Sequence, residues 1–200
     1  MKRDRYQIEI KKIIDTYKAG YAFTSADFID IANIDAVNKA LSRLNENGYI
    51  RRIMHSVYDK PIYSKTLNGY NSPDVNNVAF ALARKFNWTI APSGETALNI
   101  LHLSTQVSNI NSYISDGPYR KYRIGKYNLE FKHCANREIT GKSLKTIMVI
   151  QALKYIGKNS VCDTDFKKIF ALLSEEEKKA LLVESKTSAN WIYSLIKKAW

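Results

Sequence analysis

Residues 24–64 read TSADFIDIANIDAVNKALSRLNENGYIRRIMHSVYDKPIYS. Thr24 is placed to cap a helix, and Asp27, three residues on, is placed to answer it. A short helix is predicted over 25–31, then a turn near Asn33. A second helix is predicted over 35–47. Ile34, Val37, Leu41 and Leu44 fall on one face at helical spacing, leaving Asn38, Lys39, Ser42 and Arg43 on the other. Gly48 follows Asn47 and suits the left-handed residue that ends a helix. Beyond it, Tyr49-Ile50-Arg51-Arg52-Ile53, a His55-Ser56 turn, Val57-Tyr58, then Lys60 and Pro61-Ile62-Tyr63 suit a two-stranded hairpin carrying cations. Two short helices and a basic hairpin are the parts of a winged helix-turn-helix. In that motif the second helix enters the major groove, and the hairpin lies along the backbone. Asn and Arg offer the forked donors that read base edges, while Lys and Arg neutralise phosphates. The same pattern fits solvated helix faces, or a helix–helix–hairpin module that binds protein.

The totals set the frame. Two hundred residues allow one large domain or two small ones, and the 45% hydrophobic fraction is ordinary for a globular chain. No run reaches the roughly eighteen apolar residues of a membrane span. The opening MKRDRYQIEIKK lacks the apolar centre of a secretory signal, so a cytoplasmic protein is expected. A formal net charge of +12 suits a polyanionic partner. The excess is spread along the chain, so composition does not locate a basic patch. Cys134 and Cys162 stand in no metal-binding spacing, and His55, His102 and His133 are scattered. His133 and Cys134 are adjacent, and neighbours on a strand point to opposite faces. Neither a metal site nor a cofactor is expected.

Outward from the central stretch, residues 5–18 keep a helical period through Tyr6, Ile10, Ile13, Ile14 and Tyr17, and Gly20 ends it. This helix should complete a three-helix core. Residues 65–72, KTLNGYNS, read as a linker with a turn at Asn68-Gly69. The expected domains are therefore 1–66 and 72–200. A helix over 73–86 should bury Val75, Val78, Ala79, Leu82 and Phe86. A short strand after Trp88 then leads into a helix from Ser93. The junction lacks the glycine spacing and lysine of a phosphate loop, and the glycine of a nucleophile elbow. Residues 111–134 read as strands, with a hairpin of 119–124 and 127–133 about Gly125-Lys126. Tyr119, Tyr122, Tyr127 and Phe131 alternate with Arg120, Lys121, Arg123, Lys126 and Lys132. Such strands either stack bases and hold backbone or pack aromatics inward with cations outward. From Gly141 the chain reads as helical, with a mostly apolar helix over 143–156, another over 165–173 and a Ser174–Glu177 capping box. A last helix begins near Ser188. The fold class is α+β: an N-terminal winged helix-turn-helix, then a mixed α/β C-terminal domain with a β-hairpin and a helical C-terminal part.

The blocks WTIAPSGETALNILHLSTQV and YISDGPYRKYRIGKYNLEFKH resemble the bacterial AbiEi-like antitoxin family, in the branch with an uncharacterised C-terminal domain. SRLNENGYIRRIMHSVYDKPIYS resembles that family's N-terminal winged helix. The resemblance covers roughly residues 20–155. It implies a type IV toxin–antitoxin system of abortive infection, a form of phage defence. It also implies a DNA-binding domain that represses its own operon at inverted repeats, and a C-terminal domain that counters a nucleotidyltransferase toxin. Carried onto this chain, the DNA-binding residues are Asn38, Lys39, Ser42 and Arg43 on the helix and Arg51, Arg52, His55 and Lys60 on the wing. No catalytic residue is carried over. The chain does not read as the toxin itself, because Asp163-Thr164-Asp165 lacks the preceding Gly-Ser such an enzyme uses with its metal-holding carboxylates.

One enzyme alternative is visible. Asp116 followed by Glu130-Phe131-Lys132 has the outline of a Mg-dependent nuclease set, in which two carboxylates hold the ion and the lysine stands near the phosphate.

Overall fold

The structure, a computed structural model, describes residues 2–106 and 108–199. The chain forms two compact units, residues 1–88 and 89–200. Both mix helices with small sheets, so the class is α+β.

The first unit begins with helix α1 (Lys2–Thr16) and strand β1 (Ala22–Thr24). The expected helix over 25–31 is a single 3-10 turn, Ser25–Phe28. Its capping box is formed as read: the Thr24 amide donates to Asp27 at 2.7 Å, and the Ala26 amide donates to the Thr24 hydroxyl at 3.2 Å. Helix α2 (Ile34–Glu46) follows, with the Asn33 side chain accepting from the Ala36 amide at 2.9 Å. Strands β2 (Arg51–Met54) and β3 (Val57–Asp59) form the hairpin about His55-Ser56. Ser56 has φ +61°, the left-handed conformation tight hairpins require. β1 pairs antiparallel with β3, so the sheet has the order β1-β3-β2 rather than the two strands expected.

Ile10, Ile14, Phe23, Phe28, Val37 and Leu41 form the heart of this unit's core. Each such side chain, fully buried, contributes about 1.5–3 kcal/mol. The apolar stripe of α2 is narrower than expected, because Ile34 is 47% exposed.

Residues 65–72 are not an open linker. Strands β4 (Tyr63–Ser64) and β5 (Gly69–Tyr70) pair antiparallel about a turn where Asn68 has φ +44°. Helix α3 (Val75–Phe86) then packs into the first unit instead of opening the second. The Arg84 side chain donates through Nε to Asp27 and through Nη2 to the Ala22 carbonyl, each at 2.8 Å. Asn77 Nδ2 donates to the Gly20 carbonyl at 2.9 Å. Phe86, expected to be buried, is 37% exposed.

The second unit is built on a four-stranded sheet of order β6-β7-β9-β8. Its strands are β6 (Ile90–Pro92), β7 (Ile110–Ser115), β8 (Arg120–Ile124) and β9 (Tyr127–His133). The hairpin about Gly125-Lys126 forms as β8 and β9, while β7 lies parallel to β9. Helix α4 (Gly94–Ile100) leaves β6, and the Ser112 amide donates to Thr96 Oγ1 at 2.8 Å. The short α5 (Asn136–Ile139) precedes α6 (Leu144–Ile156), the apolar helix, which supplies Met148, Val149, Ile150 and Leu153 to the main core. Helices α7 (Asp163–Ala171), α8 (Glu175–Glu184) and α9 (Asn190–Ala199) close that core with Phe166, Ile169, Leu181, Ile192 and Ile196. Ser174 and Glu177 form the expected capping box.

Candidate nucleic-acid interface

The outer face of α2 carries the first set of candidate residues. Val37, Ala40, Leu41 and Leu44 turn inward, and the same helical period leaves Asn38, Lys39 and Ser42 exposed and Arg43 half-buried. Lys39 and Arg43 border a recess of about 240 Å³ with Tyr6, Asn33 and Asp35. The Ser42 hydroxyl donates to Glu46 Oε1 at 3.0 Å, so a carboxylate stands beside this face.

The β2–β3 hairpin divides the second set. Arg52 and His55 are exposed at its end, where an Arg52 guanidinium nitrogen lies 3.2 Å from His55 Nδ1. The Arg52 amide donates to Asn45 Oδ1 at 2.9 Å, so a side chain of α2 fixes where this strand begins. Arg51 is occupied otherwise. Its Nε and Nη2 donate to the two oxygens of Asp59 at 3.0 and 2.5 Å, and its Nη1 donates to the Asn71 carbonyl at 2.7 Å. Asp59 is 1% exposed, so Arg51 neutralises a buried charge. Lys60 is also turned inward. Its ammonium lies 3.3 Å from the Asp15 carbonyl and 3.5 Å from that of Ile14, at the C-terminal end of α1, where a cation suits the helix dipole. Nearby, the Tyr49 hydroxyl donates to the Asp15 carboxylate, and that hydrogen bond, with burial behind it, pushes the Tyr49 phenol up to about 12.

Of the eight sequence candidates, six therefore face solvent or lie half-buried at the surface of α2 and the hairpin end, while Arg51 and Lys60 hold the fold. Among the described residues, Lys39, Arg43 and Arg52 enter no ion pair. Asn45 was not a candidate. It lies on the half-buried edge of α2, and only the pairing of helix to strand reveals its role.

The nuclease outline is not assembled. Register sets Glu130 beside Ser112 on the adjacent strand, and Asp116 is four residues further along, about 13 Å at ~3.3 Å per residue. Asp116 Oδ1 accepts from the Thr89 amide at 2.9 Å. Lys121 stands 3.1 Å from Glu130 Oε1, and Lys132 stands 3.6 Å from Oε2. Among the described residues no group of three or more His, Cys, Asp or Glu is arranged to hold a metal ion. No helix among them is long and apolar enough to cross a membrane.

These two units, one carrying an exposed polar helix beside a basic hairpin end, define an α+β protein with a candidate polyanion-binding face. Residues 9–181 match the model of DUF6088, a family of unknown function, and the chain belongs to that family. No curated protein and no solved structure matches it.

Proposed function

We propose that this protein is a DNA-binding autoregulator and the antitoxin of a type IV toxin–antitoxin system, acting in the cytoplasm. In this reading the first unit is a winged helix-turn-helix, α2 is the reading helix and the β2–β3 hairpin is the wing. The order helix, strand, helical turn, helix, strand, strand supports it. One observation carries it: Asn38, Lys39 and Ser42 share the exposed face of a helix whose Asn45 anchors the strand bearing Arg52. Asn38 is suited to a base edge, and Lys39, Arg43 and Arg52 to phosphates. His55 joins them at the hairpin tip. The partner is double-stranded DNA upstream of the protein's own gene, at inverted repeats that two copies of the unit would read. The antitoxin half of the reading rests on the resemblance of the β6–α4 and β7–β9 segments to AbiEi-like proteins. Its functional partner is a nucleotidyltransferase toxin. Co-expression with a nucleotidyltransferase encoded beside this gene tests it: growth is restored by the full chain and lost when residues 89–200 are removed. Growth arrest unchanged by the full chain would reject it.

A second reading, a protein-binding module, has Ile29 and Ile34 in its favour, at 59% and 47% exposed, the one ahead of α2 and the other at its first position. Steep salt dependence of DNA binding separates the two, because phosphate contacts release counterions and apolar contacts do not.

A further inference from the structure

One face of the second unit's sheet is only partly covered. Ile110, Ser112 and Ile114 alternate onto it, and register brings Glu130 beside Ser112, Lys132 beside Ile114 and Lys121 beside Glu130. Ile147 of α6 packs on Ile114 and Ala91. Beyond that contact lies a cavity of about 560 Å³, lined by Ser112, Glu130 and Lys132 on the strands and by Ser93, Lys154 and Tyr155 around them.

Two features of this cavity point to a ligand. The charges are unevenly satisfied. Lys121 meets Glu130 at 3.1 Å and Lys154 pairs with Glu138, which leaves Lys132 at a loose 3.6 Å from Glu130 with its side chain 54% exposed. Finally, Tyr155 is 53% exposed beside Gly94, where an added Cβ would lie 3.6 Å from the tyrosine ring. An exposed ammonium, the Glu95 and Glu130 carboxylates and an aromatic face thus surround a space of small-molecule size.

We propose that this cavity binds a nucleotide: phosphate on the Lys132 ammonium, ribose hydroxyls on Glu130, and the base against the Tyr155 ring. Glu130 suits the ribose because a carboxylate accepts from hydroxyls, and Lys121 already offsets its charge against the phosphate. The same chemistry is presented by a free mononucleotide and by the terminal nucleotide of a single strand. The site uses only residues of the second unit and does not depend on DNA reading by the first.

Titration calorimetry of the full chain tests it, with AMP, inorganic phosphate and a 5′-phosphorylated single-stranded trinucleotide. AMP should bind roughly ten-fold tighter than phosphate, and Lys132→Ala and Tyr155→Ala should each weaken it by roughly ten-fold. Both side chains are exposed, and unchanged melting curves for the variants confirm that they fold. Competition between the trinucleotide and AMP assigns the site to a strand end; AMP binding without it assigns a free nucleotide. No binding of AMP, AMP no tighter than phosphate, or AMP binding unmoved by both substitutions overturns the proposal.

Discussion

Arg51 and Arg52 are neighbours in sequence with opposite tasks. Arg51 clamps a carboxylate that is 1% exposed, whereas Arg52 reaches solvent at the hairpin end. Removing one partner of a buried pair strands the other's charge. Arg51→Ala should therefore destabilise the protein by about 3 kcal/mol in chemical unfolding. Arg52→Ala should change it by less than about 0.5 kcal/mol. A plain hairpin about His55-Ser56 would set Arg52, not Arg51, opposite Asp59. The irregularity between Arg52 and Met54 shifts the register by one, and nothing in the local sequence announces that bulge. Sequence pattern therefore marked both arginines as wing cations but did not separate them. Tyr49 offers a check at the same scale. Its folded phenol titrates near 12, against about 10 for a free tyrosine. The pKa is raised, so its contribution to stability is full below about pH 10 and is lost as the pH climbs through the folded value. In an ultraviolet titration, Asp15→Asn should bring one tyrosine's ionisation down towards about pH 10.

Among the elements, α2 was the most legible: Val37, Leu41 and Leu44 turn inward as their spacing predicts, and Gly48 follows the helix end with φ +68°. The three residues of β1 carry no alternation long enough to read, and their partner strand lies more than thirty residues away. The β4–β5 hairpin was hidden by the polar composition of KTLNGYNS, although its Asn68-Gly69 turn was visible. The parallel pairing of β7 with β9 is a choice of topology, which local patterns do not record. Helix α3 forms where its apolar period predicts but packs in the first unit, because the Arg84–Asp27 and Asn77–Gly20 bonds that hold it join residues 57 apart. A fragment of residues 1–88 should accordingly unfold cooperatively in circular dichroism, and one ending at residue 72 should not. The join of α8 to α6 predicts an acid response. Burial pushes the Glu184 carboxyl up, but hydrogen bonds from Thr146 and Ser143 and the Lys142 charge outweigh it and hold its pKa below the ordinary range. That stability is present above the unfolded value, about 4.3, and is lost as the pH falls through the folded one. Glu184→Gln should flatten the loss of stability between about pH 5 and about pH 3.

At the scale of the whole molecule, a net charge of +12 favours any polyanion, so binding to DNA alone would say little. What distinguishes the account is that binding should depend on particular exposed cations and on the sequence of the DNA. Removing one phosphate-binding cation should lower the slope of log K against log salt by about 1, so Lys39→Ala with Arg52→Ala should lower it by about 2. The central claim is most directly tested by a gel shift on the DNA upstream of the protein's own gene, with excess competitor DNA. The account predicts a specific shift for the native chain, abolished by Lys39→Ala with Arg52→Ala while the melting temperature stays unchanged. A folded protein that gives no specific shift, or a shift that survives the double substitution, would contradict it.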